Sequence, residues 1–124
     1  MKTIGDGFEE SAVAWLQCRG LHVVARNFRA RTGEIDIIAR DNTRLVFIEV
    51  RARARGRYAS AAASVTRRKQ RRIVHTAQFF LQCNPQLAHL PCRFDVVAFD
   101  GTGADHCSAE PQWIRGAFSG QANT

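Results

Sequence analysis

A chain of 124 residues, 45% hydrophobic and 23% charged, has the make-up of one compact folded domain and little else. Its 18 Lys+Arg against 11 Asp+Glu leave a net charge of +7 and a pI near 10.3, which makes a polyanion the first partner to consider. No stretch approaches the roughly 20 apolar residues of a membrane helix, which excludes a membrane-spanning helix, and Asp6, Glu9 and Glu10 stand where a signal peptide would be apolar, so export is not expected and a cytoplasmic protein is.

In chain order, Phe8, Ala12, Val13, Trp15 and Leu16 recur at three- and four-residue spacing, which predicts a helix from Asp6 to about Arg19, stopped by Gly20. Residues 21–28 read as a first strand, Arg31-Thr32-Gly33 as a turn and residues 34–39 as a second strand. Asp41-Asn42 makes the next turn, and Arg44 to about Ala52 the third strand. Two short turns between three strands imply an antiparallel meander. Residues 53–63, rich in Arg, Ala and Gly, read as a loop or as a strand continuing past the sheet.

A second helix is predicted from about Val65 to Cys83, with Ile73, Val74, Ala77, Phe80 and Leu81 as its apolar stripe, broken by Asn84-Pro85. Residues 93–99 form a fourth strand and 100–110 a Gly/Asp-rich connection. Trp113-Ile114 adds a short edge strand, and 119–124 a frayed tail. The order αβββαβ describes a single α/β domain over residues 1–118, with a mixed central sheet flanked by helices. Cys18, Cys83, Cys92 and Cys107 contain no CxxC pair, so reduced thiols are expected rather than disulfides or a zinc site.

The charge is segregated. Residues 40–72 hold eleven cations against Asp41 and Glu49, a net +9, while the rest of the chain is −2. Only Lys2 and Lys69 are lysines, and arginine favours planar, bidentate contacts with phosphate or carboxylate. Arg53, Arg55, Arg57, Arg67, Arg68, Arg71 and Arg72 are therefore candidates for gripping a nucleic-acid backbone. The plainer alternatives are an edge strand protected by alternating arginines and a solvated first helical turn, although cations there oppose the helix dipole.

Strand alternation sets Glu34 and Asp36 opposite Ile35 and Ile37, and puts Phe47, Glu49 and Arg51 on one face opposite Val46, Ile48 and Val50. Asp36 and Glu49 thus fall on central strands where apolar residues are expected, a costly place for a carboxylate without a cation. Neighbouring strands bring both within reach of one ion. On the first helix, Glu9 shares a stripe with Ala12, Val13 and Leu16, whereas Glu10 points away, so Glu9 is the acid expected to face the sheet. Two or three carboxylates suit a hard divalent cation such as Mg²⁺, which activates water and stabilises charge on a phosphodiester. The competing reading is an ion-pair network in which Arg51 and Arg53 neutralise Glu49. Asp95 is expected to pair with Arg93, and Trp15, Trp113 and the phenylalanines to be core rather than base-stacking platforms.

These residues carry a pattern. Glu9, Ala12 and Trp15-Leu16, then Arg26-Asn27-Phe28, Gly33-Glu34-Ile35-Asp36-Ile37-Ile38-Ala39 and Val46-Phe47-Ile48-Glu49-Val50-Arg51-Ala52-Arg53 resemble the YraN-like family of bacterial proteins. Val65, Lys69, Arg93-Phe94-Asp95-Val96-Val97 and Ala117-Phe118 continue the match, in order over roughly residues 5–118. That family is similar to the PD-(D/E)XK nuclease superfamily, which includes Holliday-junction resolvases and restriction endonucleases. The resemblance implies a restriction-endonuclease-like core. It also implies Asp36 and Glu49 as metal-binding acids, Glu9 as the helix-borne acid, and Mg²⁺ or Mn²⁺ as cofactor.

One position departs from the superfamily. The lysine of its last motif falls at Arg51, and arginine, always protonated, cannot act as a base, although it can stabilise charge on a phosphate. Lys69, early on the second helix, can supply an ammonium from another backbone position, with Gln70 beside it to orient a phosphate or water. The leading expectation is a metal-dependent endonuclease acting on DNA, structured or branched by analogy, with Asp36, Glu49, Arg51, Glu9 and Lys69 catalytic. The alternatives are a non-catalytic nucleic-acid-binding module on a nuclease-like fold, favoured by Arg51, and an interaction protein whose basic face meets an acidic partner. A homodimer is expected by analogy only.

Overall fold

The computed structural model describes residues 4–53, 65–100 and 111–120. The first helix, α1 (Ile4–Cys18), closes through Gly20 at φ +94°, whose N–H reaches the Gln17 carbonyl at 3.1 Å while the Leu21 N–H reaches Leu16 at 3.2 Å. This closure satisfies two orphan carbonyls at the helix end and requires a residue tolerant of positive φ.

Four further elements follow as expected: β1 (His22–Ala30), β2 (Gly33–Arg40), β3 (Leu45–Arg53) and α2 (Arg67–Cys83). A 3₁₀ turn (Pro85–Leu87) leads to β4 (Cys92–Asp100), and the chain ends in β5 (Gln112–Phe118), seven residues long where a shorter edge strand was expected. The strands lie in the order β1-β2-β3-β4-β5. All neighbours are antiparallel except β3 and β4, which run parallel. A parallel pair needs a long crossover, and α2 supplies it. The sheet is therefore mixed, and the architecture is the α/β fold expected, compatible with a restriction-endonuclease-like core.

Each helix covers one face of the sheet. Phe8, Ala12 and Leu16 of α1 pack with Ile37, Ala39, Val46, Ile48, Val97 and Phe99. Ile73, Val74, Ala77 and Phe80 of α2 pack with Ile38, Leu45, Phe47, Phe94 and Val96 on the other side. Strand β3 alternates as expected, Phe47 towards α2 and Val46 and Ile48 towards α1.

Strand β2 does not keep simple alternation. Ile35 joins the α2-side core and Ile37 the α1-side core, although they are two residues apart. The change of face centres on Asp36, which lies between the Arg26–Ile37 and Phe28–Ile35 pairs, level with Asn27 at φ +52°. Asparagine tolerates this left-handed conformation better than most residues.

Asp95 pairs with Arg93 as expected, through Nε to Oδ1 at 2.9 Å and Nη2 to Oδ2 at 3.0 Å. The structure adds two donors, Trp113 Nε1 and the Gly116 N–H, each at 2.9 Å, so this wholly buried carboxylate ties β5 to β4. Trp113 also meets Trp15 edge-on at 5.7 Å between ring centroids, in keeping with a core role for both. Cys18, Cys83 and Cys92 are free. The expected loop over 54–63, with Arg55 and Arg57, the connection over 101–110, with Cys107, and the tail from 121 lie outside the described residues. No helix among the described residues is long and apolar enough to cross a membrane.

Candidate active site

The β2–β3 ladder runs from Arg40–Leu45 to Ile37–Ile48 and stops there. Just beyond it, the Val50 N–H donates to Asp36 Oδ2 at 2.8 Å, so a side-chain carboxylate accepts a bond that a continued ladder would give to backbone. The same register brings Glu49 beside Asp36. Glu49 is only 5% exposed, and its Oε2 receives Lys69 Nζ at 2.7 Å and lies 3.8 Å from Arg51 Nη1.

These acids floor a cleft of about 550 Å³. Gly33 and Glu34 form its β2 wall, and Thr66, Arg68, Lys69, Arg72 and Ile73 of α2 and its cap form the other. The α2 wall is fixed at its start by Thr66, whose hydroxyl accepts the Lys69 N–H at 3.1 Å, a side-chain cap on an otherwise orphan donor. It is also stitched to the β1–β2 turn. Arg72 Nε donates to the Thr32 carbonyl at 3.0 Å, and the buried Thr76 hydroxyl meets Thr32 Oγ1 at 2.6 Å.

Electrostatically the floor is strained. Burial first, then the Glu49 charge and more weakly the Glu34 charge, push the Asp36 carboxyl from 3.8 up to about 7, against the opposing pull of the Val50 N–H and Lys69. Two carboxylates this close are poorly neutralised unless a cation joins them. The donors are hard oxygens, which suits Mg²⁺ or Mn²⁺, and Mg²⁺ fills the rest of its shell with water. Lys69 already presents one positive charge there. The residues present therefore fit a divalent ion held by Asp36 and Glu49.

The other expected site residues divide. Lys69, Arg68 and Arg72 line the cleft, whereas Arg67 and Arg71 are exposed on α2 away from it, and Arg51 lies beside Glu49 without lining it. Glu9 has a buried Oε1, but α1 packs on the opposite face of the sheet and Glu9 is not on the cleft wall. Among the described residues no three His, Cys, Asp or Glu side chains group as a metal site.

Gln70, beside Lys69, donates its amide to the Val65 carbonyl at 3.0 Å and secures the start of α2. Glu34 is the residue sequence reasoning passed over. It lines the cleft and pairs with Arg29 at 3.0 Å, and its i, i+2 spacing from Asp36 was the available signal. Thr66 was signalled too, as a hydroxyl residue at the start of the predicted second helix.

The whole described cleft falls inside residues 8–99, which match the model of the Uncharacterised protein family UPF0102. The chain belongs to that family. The UPF0102 proteins YraN of Salmonella arizonae, Salmonella newport and Salmonella heidelberg are each 46% identical to it over 119 residues, covering 95% of this chain and 86% of theirs. The similarity thus extends over nearly the whole chain, not the cleft alone.

Proposed function

We propose that the protein is a divalent-metal-dependent endonuclease that hydrolyses phosphodiester bonds of DNA, structured or branched DNA being the favoured substrate by resemblance to the resolvases. The observation that carries this reading is the pair of half-buried Asp36 and buried Glu49 beneath a rim of Arg68, Lys69 and Arg72. Asp36 and Glu49 would hold the ion. When bound, Mg²⁺ or Mn²⁺ supplies a Lewis acid for a phosphoryl oxygen and lowers the pKa of an attacking water.

The remaining work belongs to the chain. Lys69, on the cleft wall beside Glu49, would neutralise charge developing on the scissile phosphate. Arg68 and Arg72 grip flanking phosphates, Arg72 already oriented through its Nε bond to Thr32 and retaining its Nη donors for the cleft. Arg51, 3.8 Å from Glu49, would help to hold that carboxylate in place. Arg67 and Arg71, exposed on α2, would extend the phosphate contacts beyond the cleft, and Arg53, Arg55 and Arg57 would add further backbone contacts. A second reading, a nucleic-acid-binding module without cutting activity, is favoured by arginine at position 51.

The test is incubation with linear, single-stranded and four-way-junction DNA in Mg²⁺, Mn²⁺ or EDTA, alongside Asp36→Asn and Glu49→Gln. Metal-dependent cutting abolished in both variants supports the enzyme. Salt-sensitive binding with no cutting in any sample supports the module, and absence of binding at low salt overturns both.

A further inference from the structure

Helix α2 reads RRKQRRIVHTAQFFLQC and contains no acidic residue. Its buried side is Ile73, Val74, Thr76, Ala77 and Phe80. At 100° per residue, Arg68, Arg72, His75 and Phe79 fall on one stripe of the opposite side, and all four are exposed. The stripe begins at the cleft, which Arg68 and Arg72 line, and runs two turns further to Phe79, about 10 Å along the axis.

Phe79 is the exception to the expectation that the phenylalanines are core. It is 45% exposed, one of two large apolar side chains so placed among the described residues. Its ring is backed by Phe28 of β1 at 6.2 Å between centroids, and Phe28 in turn meets Phe80 edge-on at 5.1 Å. The ring is thus braced from behind and open in front.

We propose that this stripe is a track for single-stranded DNA leaving the cleft, with Phe79 as the platform on which an unpaired base stacks. The proposal rests on the reading of the cleft as a nucleic-acid site and adds the form of the substrate. Charge complementarity selects a polyanion, since Arg67, Arg68, Arg71 and Arg72 lie exposed on a helix with no acid to neutralise them. The aromatic ring selects the strandedness. A base in a duplex has both faces taken by its neighbours, whereas an unpaired base offers a face to any aromatic ring regardless of sequence.

The experiment is fluorescence anisotropy of labelled oligo(dT) of about 15 nucleotides, within the site size of single-strand-binding grooves, against a blunt duplex of equal length. It compares the full chain with Phe79→Ala, Phe79→Leu, Phe79→Trp and the Arg68→Ala/Arg72→Ala double variant. Phe79→Leu keeps an apolar contact with Phe28 but has no π face, so it separates stacking from packing. Stacking predicts that Phe79→Ala and Phe79→Leu each weaken oligo(dT) binding about tenfold, that Phe79→Trp restores it, and that duplex binding does not change. Equal oligo(dT) affinity in Phe79→Ala and the parent, or equal losses on duplex and single strand, overturns the track while leaving the cleft reading intact. An oligo(dT) affinity unmoved by the arginine double variant, or preference for an acidic polypeptide over either DNA, overturns both.

Discussion

Asp36 Oδ2 accepts the Val50 N–H at 2.8 Å at the point where β2 and β3 part. This bond holds a carboxylate against a central strand at the end of the ladder, on the floor of the cleft. The same burial, together with Glu49, pushes Asp36 up to about 7.

A pH dependence follows. The folded-state pKa lies above the ordinary 3.8, so the folded chain binds the Asp36 proton more tightly than the unfolded chain does. This contribution to stability is therefore present at low pH and is lost as pH rises from about 4 towards about 7. Asp36→Asn keeps an acceptor for Val50 but carries no charge. Urea unfolding across that window should show the decline in the parent and not in the variant, and parallel curves would contradict it.

Divalent metal should act in the opposite sense. An ion bound only by the folded state stabilises it by about 2.7 kcal/mol at a hundredfold excess over Kd. Thermal unfolding with added Mg²⁺ or Mn²⁺ should shift upward most above pH 7, where Asp36 is ionised, and should not shift in Glu49→Gln. A shift of equal size in that variant would place the ion elsewhere.

Lys69 and Arg51 are not equivalent partners of Glu49, at 2.7 Å and 3.8 Å. Lys69 lines the cleft and Arg51 does not. Lys69→Met should slow single-turnover cutting by about 10²-fold, the cost of removing one well-placed donor to developing charge, with Arg51→Ala costing distinctly less. The reverse order would return the ammonium's role to position 51.

Asp95 makes a structural prediction away from the cleft. Its two oxygens accept four hydrogen bonds, from Arg93 twice, Trp113 and the Gly116 N–H. Asp95→Asn replaces one acceptor oxygen by a donor and leaves Arg93 half-buried without its counter-charge. A loss of about 3–5 kcal/mol is expected by urea denaturation, with β5 amides exchanging fastest.

Much of this was legible in the residues. Periodicity placed both helices and the first four strands, because apolar spacing of 3.6 or 2 is a local property that needs no partner to be read. The same alternation singled out Asp36 and Glu49 as acids in apolar places, and the Arg93–Asp95 pair is two residues long. Most boundaries moved by one or two residues, and β5 lengthened the most, with Trp113 and Gly116 bonded to Asp95 on β4.

What the chain determined alone was therefore its elements, its segregated charge and its acid pair. Tertiary structure decided the rest. It set α1 and α2 on opposite faces of the sheet, and it turned Ile35 and Ile37 to opposite cores at Asp36. It chose Arg68 and Arg72 over Arg67 and Arg71, and it left Phe79 open beside Phe28. The physical reason is that each of these depends on how two distant elements dock. Docking is fixed by the summed packing of many side chains across a sheet, and no spacing within one element encodes it.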